Sequence, residues 1–367
     1  MWHITRSTTI VTLTLPPIPL RETTIMRARS GFLVMLFGLW VAAGMPVRAE
    51  DAVSEIQKIS GLKKIDLAKL AAGEVEGCRI PTEGSDLTIS VESLFAVPLA
   101  PGKVVDLMED STSATEVKAS DTLDVEGHFA VSRPAREEDF GRLKISADDG
   151  MGRGLMKASA DGSSLNLNAP EAATLAQMAR DPAALEKAWR KVLATRAQTF
   201  QTRGWVGSPT YDRGGRAFSM HQEMVRLLKT QPAILERFKD AIGAAMTAKT
   251  VPGMETPGYY WEISRIQGDR IFSLGAVFSR KIDGSVYQVV EPTYYVSSKY
   301  YTSLILYEIR PVTINGSPYS LVWRGDFVIT PSINFMKGIE RIAAENITLL
   351  EVQKSVRSFA EECRAAR

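Results

Sequence analysis

The sequence predicts an α+β fold, in which a curved antiparallel sheet packs on a long C-terminal helix and an Ala-rich helical segment is inserted between strands. Segments between residues 259 and 329 have the composition of strands, and two-residue turn signals join them. Residues 332–366 carry apolar side chains at spacings of three, four and seven, which is typical of one amphipathic helix. Residues 170–250, which follow the first predicted strands, are rich in Ala and helical in pattern.

The composition excludes several classes of protein. The chain has 367 residues, of which 45% are hydrophobic and 23% are charged, and its formal net charge is +2. A disordered chain would contain fewer apolar residues, and a nucleic-acid-binding domain usually has a clear basic excess. Five basic residues and one acidic residue lie within residues 1–49, so removal of that segment reverses the sign of the net charge. We therefore predict no nucleic-acid partner.

Residues 26–49 have the three parts of a secretory signal peptide in the right order. Arg27 and Arg29 are basic, residues 31–45 form an uncharged apolar run, and Val47 and Ala49 give a small-x-small cleavage site. The run is shorter than the roughly 20 residues that a membrane-spanning helix needs. We predict cleavage after Ala49, export to the periplasm or the extracellular space, and no stable membrane span afterwards; retention of the run as an anchor is the alternative.

Residues 1–25 resemble neither a signal peptide nor a domain, and we interpret them as a non-native or unstructured extension upstream of a start at Met26. Residues 50–85 are predicted to be a broken helical lead-in. Residues 86–367 are predicted to form one α+β domain, with the helical insertion at about 170–250.

The first half of this domain is predicted to contain a strand at 87–97, a short helix within 98–110, and short strands at 122–131, 142–147, 154–160 and 164–167. Closely spaced glycines from Gly150 to Gly154 favour a hairpin turn. A phosphate-binding loop is the alternative, but Leu155 replaces the last glycine of the G-x-G-x-x-G pattern. In the insertion, helices are predicted from Pro182 to about 204, from Ser219 through 228, and from Pro232 to about 248.

The last third of the chain has the clearest strand pattern. Strands are predicted at 259–266, 270–282, 285–291, 302–313 and 319–329, with hairpin turns at Asp283-Gly284 and Asn315-Gly316. Both sides of the strand at 302–313 are largely apolar. We expect that strand to be covered on both faces or to line a cavity.

Tyrosines are concentrated in these strands, since nine of the ten lie between residues 259 and 319. Adjacent residues of a strand point to opposite faces, so each doublet such as Tyr294-Tyr295 is expected to place one ring on each face. The functional interpretation is a ligand cavity or contact surface; ordinary strand composition is the alternative. The candidate ligand-binding residues are Tyr260, Tyr287, Tyr295, Tyr301, Tyr307 and Trp323.

The sequence contains no recognisable catalytic motif, and we predict no catalytic residues, no metal ligands and no cofactor. After signal removal the histidines are His128 and His221, for which structural or surface roles are expected. The two cysteines, Cys78 and Cys363, could form a disulfide in an oxidising compartment. Two free buried thiols are the equal alternative.

Residues 89–110 resemble the first strand and following helix of the START-like helix-grip domains, and the strands at 270–329 followed by the helix from 332 resemble the rest of that plan. The resemblance covers about half of residues 50–367, and the helical segment at 170–250 departs from it. In this family an antiparallel sheet wraps around a C-terminal helix and leaves an apolar cavity. The resemblance therefore implies binding of a lipid or another apolar small molecule.

These observations lead us to expect an exported, non-enzymatic protein that binds a lipid or another apolar small molecule. An envelope structural or protein-interaction protein, with residues 170–250 as its contact surface, is the alternative. A third possibility is an enzyme of unrecognised type that uses His128 or His221 as its acid or base.

Overall fold

The computed structural model describes residues 49–82, 87–110, 123–146, 150–157, 165–212, 217–266, 268–334, 336 and 338–367. The extension predicted at residues 1–25 and all but the last residue of the signal peptide predicted at residues 26–49 lie outside this described part.

The fold is α+β, as the sequence predicts, and its centre is an open antiparallel sheet of eight strands. The strands of the described chain are β1 (Glu76–Arg79), β2 (Thr88–Val97), β3 (Leu123–Ala130), β4 (Tyr211–Asp212), β5 (Ala217–Phe218), β6 (Gly258–Ile266), β7 (Asp269–Asp283), β8 (Val286–Val296), β9 (Thr302–Ile314) and β10 (Ser317–Ile329). The large sheet has the order β1-β2-β10-β9-β8-β7-β6-β3, while β4 and β5 form a separate small hairpin. The first long strand, β2, therefore lies beside the last strand, β10.

The described helices are α1 (Ala49–Gln57), α2 (Leu67–Ala71), α3 (Pro101–Asp110), α4 (Gly150–Met156), α5 (Ala169–Met178), α6 (Pro182–Arg203), α7 (Met220–Lys229), α8 (Pro232–Thr247) and α9 (Ile339–Ala365). Two helices begin with capped N-termini: in α6 the side chain of Asp181 accepts the backbone N–H groups of Ala183 and Ala184, and in α7 that of Ser219 accepts the N–H of Gln222. Within the described residues, no helix combines the length and the apolar composition needed to cross a bilayer.

The hairpin turn between β9 and β10 explains why Asn315 and Gly316 are required there. Both residues have positive φ angles, of 52° and 78° respectively. A two-residue turn with positive φ at both positions matches the right-handed twist of the flanking strands, and Asn followed by Gly accepts this conformation most readily. The local sequence thus sets the register in which β9 pairs with β10.

The two faces of the sheet are covered by different helices. The face that we call the insertion face carries Trp261, Phe272 and Trp323 and packs on helices from the insertion between β3 and β6, including α6 and α8. The face that we call the C-helix face carries Val277 and Val322. On the C-helix face, α9 packs mainly on β1 and β2, while α3 packs mainly on β8 and β9.

Strand β9 is buried on both sides, which confirms one of the alternatives predicted for residues 302–313. Leu304 and Leu306 belong to the core of the insertion face, whereas Tyr307 and Ile309 belong to the core of the C-helix face. A strand covered on both faces has apolar side chains at successive positions, as this one does.

The segment before the insertion helices differs from the prediction. No strand forms in the described parts of 142–147, 154–160 and 164–167, and Gly150–Met156 is the helix α4 rather than a hairpin turn. Met151 and Leu155, four residues apart, are both buried on the side of α4 that packs against β7. Burial of this pair outweighs the low helix propensity of the glycines.

The C-terminal helix is shorter than predicted. It begins at Ile339 instead of 332, because Pro331–Ile333 forms a 3₁₀ turn and Gly338 has a φ of 53°. Val356, Ala360 and Cys363, which lie in its second half, are buried against the sheet. The predicted lead-in likewise contains two short helices and the edge strand β1, whose four residues carry too little pattern to be recognised.

Candidate functional site

The six aromatic residues proposed from the sequence are divided between the two faces of the sheet. Tyr260, Tyr287 and Tyr307 lie on the C-helix face. The insertion face carries Tyr295, Tyr301 and Trp323, so the six rings do not line one common cavity.

The three rings on the insertion face are parts of a packed core. The guanidinium carbon of Arg196 lies 4.3 Å from the ring centre of Tyr295, and Tyr301 contacts the ring of Tyr211 at a centroid distance of 6.1 Å. Trp323 is fully buried and donates its indole N–H to Glu92 at 2.6 Å. These contacts give each ring a structural role.

Only one of the tyrosine doublets within the strands follows the simple alternation. Tyr259 and Tyr260 point to opposite faces as predicted. Tyr294 and Tyr295 both face the insertion, because the pairing of β7 with β8 shifts by one residue at Leu274/Gly275. A β-bulge of this kind places two successive residues of one strand opposite a single residue of its partner.

On the C-helix face, the structure assembles a group of polar and aromatic side chains from five strands of the large sheet. We call it the tyrosine–carboxylate cluster; its members are His128, Tyr260, Glu262, Glu291, Tyr307, Arg324 and Asp326. The strands β3, β6, β8, β9 and β10 each contribute at least one of these side chains, while β7 crosses the cluster with a glycine.

The centre of the cluster is a hydrogen bond that spans β7. Tyr260 on β6 donates its hydroxyl to Oε1 of Glu291 on β8 at 2.6 Å. Gly275 on β7 lies directly beside Tyr260, and a Cβ atom at Gly275 would be 2.2 Å from Cζ of the tyrosine ring. The missing side chain of Gly275 therefore creates the space through which Tyr260 reaches Glu291.

His128 and Glu262 flank Tyr260. The imidazole of His128 stacks on the Tyr260 ring with centroids 4.2 Å apart, and its Nδ1 lies 3.6 Å from Oε2 of Glu262. The Nε2 atom of His128 is buried and has no hydrogen-bond partner among the described residues. Ser264 donates its hydroxyl to Oε1 of Glu262.

An internal ion pair forms the opposite side of the cluster. Arg324 donates from Nε and Nη2 to the two carboxylate oxygens of Asp326, at 2.8 and 2.6 Å. The same guanidinium carbon lies 5.5 Å from the ring centre of Tyr307. This bidentate geometry uses both oxygens of Asp326 and holds Arg324 in the plane of its partner.

Burial changes the acidity of the cluster. Desolvation raises the pKa of Glu291, although the hydrogen bond from Tyr260 and the nearby charges of Arg324 and His128 oppose that effect. Desolvation and the adjacent Glu291 raise the pKa of Tyr260 well above its ordinary value. Groups whose pKa is perturbed by burial and specific neighbours concentrate at functional sites, which makes this cluster the leading candidate.

Glu291 differs from two other carboxylates buried in the sheet. Glu92 accepts hydrogen bonds from the N–H of Gly61, the thiol of Cys78 and the indole of Trp323. Glu308 accepts two hydrogen bonds from Arg237, both of 2.7 Å, and another from Arg310. Glu291 accepts one, from Tyr260, so its Oε2 atom has no donor among the described residues.

Sequence reasoning identified Tyr260 and Tyr307 but missed the charged members of the cluster. The available signal was a single charged residue within an apolar or aromatic strand, as for Glu291 in the segment Val-Val-Glu-Pro-Thr-Tyr-Tyr. A buried charge in such a strand is costly, so its presence points to a specific partner or a function. Tyr287 lies outside the cluster, near Gly102 of α3 and Lys281.

A surface pocket of about 360 Å³ lies beside the cluster, at the outer edge of β3. Its lining includes His128, Phe129 and Arg142. A second pocket, of about 290 Å³, lies at the turn between β6 and β7 and is lined in part by Arg153, Arg265 and Arg270. Glu126 forms ion pairs with Arg265 and Arg270, so two of these guanidinium groups have a carboxylate partner within the protein.

The two cysteines are free thiols on opposite faces of the sheet. Cys78 points to the insertion face and donates its thiol to Glu92 at 3.0 Å, whereas Cys363 lies in the core between α9 and the C-helix face. This arrangement matches the alternative of two free thiols; a bridge between them would require the sheet edge to rearrange.

The remaining candidates from the sequence lie outside the cluster or form no site. His221 lies in α7 and is half-buried, and burial lowers its pKa. Within the described residues, no group of three or more His, Cys, Asp or Glu side chains is placed to hold a metal ion. No protein-family model, curated protein or solved structure matches this chain.

Proposed function

We propose that this chain is an exported, non-enzymatic protein that binds a lipid or another apolar small molecule, with the tyrosine–carboxylate cluster as the recognition site for the polar end of that molecule. The observation that carries this proposal is Glu291, a half-buried carboxylate that accepts one hydrogen bond, from Tyr260, and whose second oxygen has no donor among the described residues. Burial of a charge with incomplete pairing is unfavourable for the stability of a protein. A ligand that completes the pairing would offset this cost.

The surroundings of Glu291 support an amphipathic ligand. Glu291 pairs across the sheet with Ile305, which pairs in turn with Asp326, so apolar and polar side chains are neighbours on the same face. Val277 and Val289 extend the apolar surface beside the cluster. Binding sites for small molecules typically combine an apolar lining with a few convergent polar groups.

The position of the helices supports a helix-grip plan. Helices α3 and α9 pack on the same face of the sheet as the cluster. Because α9 packs mainly on β1 and β2, the part of the C-helix face near β6 and β7 lies away from it. The described helices of the insertion pack on the opposite face of the sheet.

Extraction of the protein purified from native cells without detergent tests this function. Organic solvent releases a bound amphipathic molecule, which mass spectrometry detects. We expect the molecule in the wild-type protein and in the control variant Tyr294→Phe, whose altered residue lies on the insertion face. We expect a loss of at least tenfold in Glu291→Gln and Tyr260→Phe. Repeated recovery of an empty wild-type chain, or equal recovery from all variants, would contradict the proposal.

Export has a separate test. The signal features of residues 26–49 support cleavage after Ala49. Peptide mass spectrometry of the protein from a periplasmic or extracellular fraction should then identify Glu50 as the first residue. A chain recovered in the cytoplasm with residues 31–45 intact would contradict export.

A second candidate function, protein interaction, is favoured by an exposed apolar row on the first half of α9. Ile339, Ile342, Ile347 and Leu350 are 84%, 44%, 57% and 55% exposed. A second copy of α9 in antiparallel orientation would place Ile339 opposite Leu350 and Ile342 opposite Ile347, and interfaces with two-fold symmetry are self-complementary in this way. Light scattering should then show a dimer that Ile347→Lys dissociates; a monomer at high concentration would contradict this function.

A further inference from the structure

The turn between β9 and β10 exposes a chemically labile pair of residues. Asparagine is among the residues that degrade most readily in proteins. Of the five asparagines in the sequence, only Asn315 is followed by a glycine. Asn315 and Gly316 are both exposed, and a Cβ atom at Gly316 would meet no atom within 4 Å beyond its chain neighbours. The side-chain amide of Asn315 therefore lies next to a backbone nitrogen that no side chain shields.

Neither of these two groups is held by a hydrogen bond within the described part of the chain. There, the side-chain amide of Asn315 makes no hydrogen bond, and the backbone N–H of Gly316 has no acceptor. In Asn166, by contrast, the amide donates to the carbonyl oxygens of Val296 and Tyr300, both at 2.8 Å. The amide of Asn315 can thus turn towards the nitrogen of Gly316 without the loss of a contact.

A flip of the peptide between Asn315 and Gly316 brings the turn into a reactive conformation. The φ angles of the two residues, 52° and 78°, are both positive, as in a type I′ turn. A five-membered ring between Cγ of Asn315 and N of Gly316 requires a ψ of about −120° at Asn315, which is the value at the first central position of a type II′ turn. Both turn types close two-residue hairpins, so β9 and β10 keep their pairing during the flip.

We propose that Asn315 is a modification site, at which the folded protein deamidates. The nitrogen of Gly316 loses its proton to water and attacks Cγ of Asn315. The new N–Cγ bond closes a succinimide ring, and the Cγ–Nδ2 bond breaks with release of ammonia. Water then opens the ring at either of its carbonyl groups, which gives aspartate or isoaspartate. The net reaction consumes water and releases ammonia, and no electrons are transferred.

The two products affect the hairpin differently. Aspartate leaves the backbone unchanged, and Asp-Gly suits a type I′ turn as Asn-Gly does. Isoaspartate routes the backbone through the side chain and lengthens it, so the turn no longer matches the pairing of Ile314 with Ser317. Because β10 also pairs with β2, we expect the isoaspartate form to unfold at a lower urea concentration than the aspartate form.

Incubation of the full chain in water labelled with heavy oxygen tests this inference, because each ring opening adds a labelled oxygen. The protein is kept at pH 8, circular dichroism verifies that it remains folded, and peptide mass spectrometry locates the label. We expect the peptide that contains Asn315 to gain label at least tenfold faster than the peptides that contain the other asparagines. Electron-transfer fragmentation of that peptide should identify both aspartate and isoaspartate.

Two variants serve as controls. Asn315→Gln keeps an amide but would have to close a six-membered ring, so we expect its label at this position to fall at least tenfold. Asn315→Asp should unfold at the same urea concentration as the fresh wild type, whereas the aged wild type should unfold earlier. Label at Asn315 that is no faster than at the other asparagines, or that appears only after unfolding in urea, would overturn the proposal. Equal labelling of Asn315→Gln and the wild type would also overturn it.

Discussion

Replacement of Gly275 by Ala should disrupt the centre of the cluster without replacing any of its members. The new Cβ would lie 2.2 Å from Cζ and 2.3 Å from the hydroxyl oxygen of Tyr260. Favourable contacts between carbon atoms are about 3.5–4.0 Å long, so the ring has to move. The movement breaks the 2.6 Å hydrogen bond to Glu291 and the stack with His128.

The expected loss of stability follows from these two effects. Overpacking of a well-packed region costs about 1–3 kcal/mol, and loss of a hydrogen bond to a charged group costs about 1.5–3 kcal/mol. The free energy of unfolding should therefore fall by about 2.5–6 kcal/mol in Gly275→Ala. Urea unfolding, followed by tryptophan fluorescence, measures this change.

A double-mutant cycle with Tyr260→Ala gives the decisive comparison. Once the ring is absent, Gly275→Ala should be neutral or stabilising by up to about 1 kcal/mol, because Ala is favoured over Gly inside a strand. Gly258→Ala is the matched control, since Gly258 is also in a strand of the same sheet and a Cβ there would meet no atom within 4 Å. An equal cost of Gly275→Ala with and without the Tyr260 ring would refute the reasoning.

Three other predictions concern buried groups. Tyr294→Phe should raise the free energy of unfolding by about 1 kcal/mol, because it removes a buried hydroxyl that has no partner among the described residues; a loss of stability on urea unfolding would contradict this. Burial raises the pKa of Glu291, so the folded protein favours the protonated carboxyl. The contribution of this carboxyl to the free energy of unfolding is therefore complete below its unfolded pKa of about 4.3 and is lost as the pH rises through the folded pKa. The free energy of unfolding of Glu291→Gln, measured against pH, should therefore increase relative to that of the wild type from pH 4 upwards. A relative decrease would be inconsistent with a raised pKa. Burial raises the pKa of both Cys78 and Cys363 to about 12. A thiol reagent at pH 8 should therefore react slowly with the native protein and rapidly with both thiols after unfolding without reductant. A chain that yields no reactive thiol when unfolded would contain the disulfide instead.

The regular elements near the end of the chain could be predicted because local signals and tertiary packing agree there. Strand β7 is predicted at 270–282 and extends over Asp269–Asp283, and the positive φ angles of Asn315 and Gly316 match the hairpin signal. In α6, Asp181 accepts two backbone N–H groups at the predicted N-terminus. Each of these features depends on residues that are close in sequence.

The helix α4 and the bulge in β8 could not be predicted, because their causes are distant in sequence. Met151 and Leu155 form a helix since they are buried against β7, whose residues follow more than a hundred positions later. The bulge that turns both Tyr294 and Tyr295 to the insertion face depends on the pairing with Leu274 and Gly275. Composition alone does not contain this register.

The candidate site, too, could be predicted only in part, because its members are distant in sequence. The concentration of tyrosines pointed to strands that contribute to the cluster, but it did not separate Tyr260 and Tyr307 from the core residues Tyr295 and Trp323. The distinction comes from Glu291, whose partner lies across an intervening strand with a glycine at the crossing point. That relation exists only once the sheet is assembled.

A crystal structure of the protein with the amphipathic molecule extracted from it tests the central claim most directly. The binding account predicts the polar end of the ligand within hydrogen-bonding distance of the free oxygen of Glu291 and against the ring of Tyr260, with its apolar part on the C-helix face. A ligand bound between the sheet and the insertion helices, or on the exposed row of α9 at Ile347, would contradict it.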